Sequence, residues 1–154
     1  MANASTMAGA AFSNSMVGLV HAIGHALGGE CHIPHGDAMN ILLPYVMKYN
    51  RSVLDELYGE LLIYFAGSEV YAVTPKKERG KRMIQEVRRL QRRLRDLCGL
   101  PLTLQEIHPE PIDFESIAKK AMNDGAMLVN PKKAEKEDIV RILKAAYGKK
   151  GGNI

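Results

Sequence analysis

The chain has 154 residues, enough for one domain that buries roughly two-thirds of its unfolded surface. Its 46% hydrophobic and 25% charged content argues for a folded globule and against disorder, and the longest apolar run, ILLPYVM, is too short to span a membrane. Two cysteines, Cys31 and Cys98, make no disulfide framework and no CxxC pair, and the N-terminus lacks the basic opening of a signal peptide, so a cytoplasmic setting is expected. Net charge is +4 and unevenly placed. The first fifty residues hold only Glu30, Asp37 and Lys48 as charges, whereas Lys76 to Arg95 carry ten Lys/Arg against Glu78 and Glu86. Such a stripe can bind nucleic acid. No aromatic lies between Tyr71 and Phe114 to stack a base, so a solvated helix face is the favoured reading.

In chain order, the spacing of Val17, Val20, Ile23 or Gly24, and Leu27 predicts a helix over 13–27, capped by Ser13, Asn14 or Ser15 and stopped by Gly28-Gly29. Pro34 suits the first turn of a second helix, in which Pro44 predicts a kink or a division. A third helix fits 51–67, with Val53, Leu54, Leu57, Leu61 and Tyr64 on one side. Thr74-Pro75 is read as the cap and first turn of the longest helix, about 75–98, ending at Gly99. Its seam Met83, Val87, Leu90, Leu94, Leu97 fits a bundle, and is too short to argue a coiled coil.

Asp113 predicts an N-cap, with Ile112 and Ile117 spaced for a hydrophobic staple. A last helix over 135–147 shows Ile139, Ile142, Leu143 and Ala146 on one face. No segment alternates as a strand. The expected fold is therefore all-α, one helical bundle over residues 1–148 with 149–154 as a flexible tail.

The stretch HAIGHALGGECHIPHG holds four of the five histidines. His21 and His25 stand one helical turn apart and share a face, the spacing by which a helix offers two nitrogens to one metal. His32 and His35 follow a Gly-Gly turn and can fold back toward them. Imidazole suits zinc, iron, copper or nickel. Spacing alone leaves open which pair ligates.

The run AGAAFSNSMVGLVHAIGHALGGECHIPHGDAMNILLPYVMKYN resembles the second signature region of the iron-dependent alcohol dehydrogenases, the iron-activated group III family. LPLTLQEI and NPKKAEKEDIVRILKAAYG resemble that family's following loop and C-terminal helix, so the likeness spans nearly the whole chain. It implies a metal-binding helical domain of an NAD(P)-dependent enzyme that interconverts small alcohols and aldehydes. It further implies His21 and His35 as metal ligands, His25 as the active-site histidine beside metal and nicotinamide, and Phe12 in the substrate pocket, with no fixed role for His32. Fe(II) is the implied metal and zinc the alternative, as in a glycerol- or polyol-oxidising relative.

The family's other two ligands, an Asp and a His, and its dinucleotide-binding α/β domain lie upstream of the histidine signature. No GxGxxG or GGGS-like turn is present, so NAD or NADP has no cradle in this sequence. The chain is expected to be truncated on its N-terminal side and silent by itself, with the other half of the family's fold or a second copy as partner. A basic helical binding module is the non-enzymatic alternative.

Overall fold

The computed structural model describes residues 1–148, and all regular structure among them is helical. The tail expected over 149–154 lies outside the described residues. Among the described residues eight α-helices run α1 Ala2–Ser15, α2 Leu19–Cys31, α3 His35–Ala66, α4 Ser68–Val73, α5 Arg79–Cys98, α6 Leu104–Ile107, α7 Phe114–Met122 and α8 Lys136–Tyr147. Short 3₁₀ turns at Lys76–Glu78 and Gly125–Val129 complete the order. No helix among the described residues is long and apolar enough to cross a membrane.

Two apolar clusters organise the bundle. In the larger, Leu19, Ile23 and Leu27 of α2 meet Ile41 and Leu42 of α3, closed by α7 and α8 through Ile117, Ile139 and Leu143. The smaller joins Tyr58 and Leu62 of α3 to Met83, Ile84 and Val87 of α5. The two helices come close there because residue 80 is glycine: a Cβ would stand 2.7 Å from the Asp55 carbonyl oxygen.

The expected helix over 13–27 is corrected at both ends. The chain breaks at Met16–Gly18, and α2 begins where Asn130 Oδ1 accepts the Leu19 N–H at 3.2 Å, a cap supplied from 111 residues away. Gly28 and Gly29 do not stop α2. It runs on to Cys31, and the left-handed His32 (φ 54°) turns the chain so that Ile33 enters the core. Burial of that apolar face outweighs a helical glycine, which costs about 1 kcal/mol.

Pro44 does not divide the next helix, since α3 is continuous over 32 residues and is the longest element, instead of α5. Proline deprives the carbonyl four residues back of its donor. That carbonyl, of Asn40, accepts instead from Nε2 of the buried Gln91 on α5, at 2.6 Å.

Over the second half of α3 the apolar side read from the sequence is not the one that packs. Tyr58 and Leu62 are buried with Leu54 partly so, while Val53, Leu57, Leu61 and Tyr64 are exposed. The α5 seam packs only through Met83 and Val87, and Leu90, Leu94 and Leu97 stay exposed. Thr74 caps nothing, its hydroxyl donating back to the Val70 carbonyl at 2.6 Å. The basic stripe meets local partners: Arg82 pairs with Glu86, Arg88 lies over the Tyr45 ring, and Arg95 pairs with Glu106.

Other local signals hold. Gly99 ends α5 in the left-handed region (φ 74°) and donates to the Arg95 carbonyl. The Asp113 carboxylate accepts from the Glu115 and Ser116 N–H groups, between the buried Ile112 and Ile117. α8 opens with a reciprocal Glu135–Asp138 capping box and buries Ile139, Ile142, Leu143 and Ala146.

Candidate active site

Three imidazoles converge where α2 meets the start of α3. His21 and His25 share a face of α2, and the left-handed turn at His32 brings His35, the first residue of α3, back beside them. Ring centres lie 5.4 Å apart for His21–His35 and 5.7 Å for both His21–His25 and His25–His35. They open on a cleft of about 390 Å³ also lined by Phe12, Ser13, Met16 and Val17. Phe12 reaches it from α1, a helix with no buried residue. His32 is exposed and does not line that cleft.

Sequence reasoning missed Asp124. Its Oδ2 accepts from Nδ1 of His25 at 2.8 Å, while its Oδ1 accepts the Ala126 N–H at 2.7 Å and so fastens the carboxylate to the 3₁₀ turn. Asp124 sits in an Asn-Asp-Gly stretch after α7, 99 residues from its partner, where sequence shows only a turn.

The electrostatics suit ligation. The His21 imidazole is held below its ordinary range by burial first, then by repulsion from His35 and His25, against the opposing pull of Asp124. A neutral ring keeps a lone pair for a metal at neutral pH. Burial alone would raise the Asp124 carboxyl, but the Ala126 N–H, the His25 hydrogen bond and the nearby imidazoles bring it below the usual range.

Two imidazoles bound to one tetrahedral ion, at about 2.0–2.1 Å per nitrogen, set their ring centres roughly 5 Å apart. The observed separations of 5.4–5.7 Å lie near that value for every pair, so spacing does not choose among His21, His25 and His35. Among the described residues no group of three His, Cys, Asp or Glu side chains forms a full metal shell. What singles out His25 is its bond to Asp124.

The profile described as "Fe-containing alcohol dehydrogenase family, C-terminal" matches residues 1–147. Alcohol dehydrogenase 4 of Saccharomyces cerevisiae is 35% identical over 149 residues, covering 96% of this chain and 36% of the relative. The 1,3-propanediol dehydrogenase of Citrobacter freundii is 33% identical over 147 residues, with the same coverage. Among solved structures, an alcohol dehydrogenase from Oenococcus oeni aligns at a TM-score of 0.79 and 35% identity, over 91% of this chain and 35% of that one. The chain thus spans about a third of the length of the curated relatives it matches.

Proposed function

Because the chain belongs to the Fe-containing alcohol dehydrogenase family, matching its C-terminal region, we propose that it forms the metal- and alcohol-facing side of an NAD(P)-dependent alcohol dehydrogenase. The observation that carries this reading is the meeting of His21, His25, His35 and Phe12 in one cleft, although they come from three helices. His21 and His35 would hold Fe(II), with zinc as the alternative ion. When bound, the ion supplies Lewis-acid polarisation of the substrate oxygen. His25, with its Nδ1 engaged by Asp124, handles the proton at its other nitrogen. Phe12 and Val17 give the cleft an apolar wall for a short carbon chain.

Relatives bear the names 1,3-propanediol dehydrogenase, lactaldehyde reductase and NADPH-dependent butanol dehydrogenase, which supports a small alcohol or aldehyde as substrate. The nicotinamide is held by a part of the family's fold that this sequence does not contain, in the same chain or a partner, and the setting is cytoplasmic.

Calorimetric titration of the chain with Zn(II), and anaerobically with Fe(II), tests the ligand assignment. One ion should bind, and His21→Ala or His35→Ala should abolish binding while His32→Ala leaves it intact. Equal losses from all three substitutions would mean unspecific surface chelation and overturn the site.

A further inference from the structure

We propose that Asp124 is a positioning residue that locks His25 in the tautomer carrying its proton on Nδ1, so that Nε2 is the nitrogen that exchanges protons with the substrate. The inference rests on the reading of His25 as the proton-handling group. A carboxylate is acceptor-only, so a 2.8 Å contact with Nδ1 requires that nitrogen to donate. In the neutral ring Nε2 is then left with the lone pair. Its base form takes up the proton that alcohol oxidation releases from the substrate hydroxyl and passes it to water. Aldehyde reduction runs the same transfer backwards from the imidazolium.

Three features separate this arrangement from an incidental surface pair. Asp124 is also held on its second oxygen by the Ala126 N–H, so its position does not depend on the His25 ring alone. The pair is half open to solvent, with side-chain exposures of 46% for His25 and 24% for Asp124, so as an ion pair it contributes little stability. And His25 alone of the three clustered imidazoles has an acidic partner within hydrogen-bond reach among the described residues, although all three line the same cleft.

A carboxylate behind an imidazole is also how proteins orient metal ligands. The two roles part in how metal binding responds to loss of the charge. Asp124→Asn suits the test because a carboxamide oxygen can keep the Ala126 cap, while its NH₂ can donate to Nδ1 and reverse the tautomer.

The experiment is nitrogen-15 spectroscopy of the histidine rings in the intact chain at about pH 8, above the ordinary imidazole range. His25→Gln identifies the His25 signals, and Zn(II) binding is measured in parallel. In the wild type, Nδ1 of His25 should resonate as the protonated nitrogen and Nε2 as the bare one. In Asp124→Asn that assignment should reverse, with Zn(II) affinity unchanged.

A bare Nδ1 in the wild type would overturn the proposal even if Asp124→Asn failed to fold. So would a variant that keeps the wild-type tautomer. A drop of about 10- to 100-fold in Zn(II) affinity for Asp124→Asn would overturn it too, by placing His25 among the ligands. Failure of His21→Ala to weaken metal binding, with the tautomer as expected, would instead count against the ligand assignment alone.

Discussion

The carbonyl of Asn40, left without a helical donor by Pro44, is satisfied by Nε2 of Gln91 at 2.6 Å. The same NH₂ group reaches the Asn40 carboxamide oxygen at 3.0 Å, and Asn40 in turn donates to the Pro101 carbonyl at 2.9 Å. One buried glutamine therefore lets α3 pass through a proline and ties α5 to the helix that carries His35.

Gln91→Leu should cost about 1–3 kcal/mol, the penalty of leaving a buried carbonyl unpaired. The sharper expectation concerns the pair. Pro44→Ala returns an N–H that can donate to the Asn40 carbonyl, so Gln91→Leu should cost clearly less in that background. A denaturant-unfolding double-mutant cycle reads the coupling. Strictly additive losses would show that Gln91 does not serve the carbonyl that Pro44 frees.

At the start of α8 the Asp138 carboxylate accepts from the Glu135 N–H at 3.1 Å and the Tyr49 hydroxyl at 3.0 Å, and it pairs with Arg141. Chiefly the Glu135 N–H, then Tyr49 and Arg141, hold its carboxyl below the ordinary range despite burial. A folded-state pKa below the unfolded one gives stability that is present above the unfolded value and lost as pH falls through the folded one. Asp138→Ala should therefore cost about 1–2 kcal/mol near neutrality, and its penalty should shrink as pH drops below about 4. The Tyr49 phenol, pushed up to about 12 first by burial and then by Asp138, should titrate lower in the variant. A penalty independent of pH, with Tyr49 unmoved, would contradict this.

What the sequence made legible was local. The Asp113 cap, the left-handed Gly99, the inner face of α8 and the shared face of His21 and His25 each depend on neighbours a few positions away, whereas His35 is singled out from His32 only by the family resemblance. The misreadings at Gly28-Gly29, at Pro44 and along the second half of α3 share one cause. Gly28-Gly29 reads as a stop until Ile33 is seen in the core. Pro44 reads as a break because its remedy, Gln91, lies 51 residues on from Asn40. Val53, Leu57 and Leu61 offer α3 an apolar face as good as Leu54, Tyr58 and Leu62, and only the close crossing at Gly80 decides between them. Likewise Asp124 carries no local sign of His25, and Asn130 none of the helix it caps. Its carboxamide also exchanges two 3.0 Å hydrogen bonds with the buried Asn50.

Oxidation of an alcohol by NAD(P) needs a held ion, an oriented alcohol and a nicotinamide within reach; the roles proposed above for His21, His35, His25 and Phe12 serve the first two, and the chain spans 36% of its dehydrogenase relatives. Positioning alone is worth about 7–11 kcal/mol of barrier, so its loss removes many decades of rate. We therefore expect no detectable NAD(P)-dependent oxidation of ethanol or 1,3-propanediol by the chain with Fe(II) added. The complementary experiment puts the chain in place of the matched 36% of the Citrobacter freundii 1,3-propanediol dehydrogenase. Turnover should return in the chimera. His21→Ala or His35→Ala should then remove metal and activity together. His25→Ala should lower kcat by about 10²–10⁴ with metal content unchanged, the loss expected for a group that moves a proton. Turnover by the chain alone would show that it holds the nicotinamide after all. A folded, metal-loaded chimera that stayed silent would mean that these three histidines do not perform the family's chemistry in this chain.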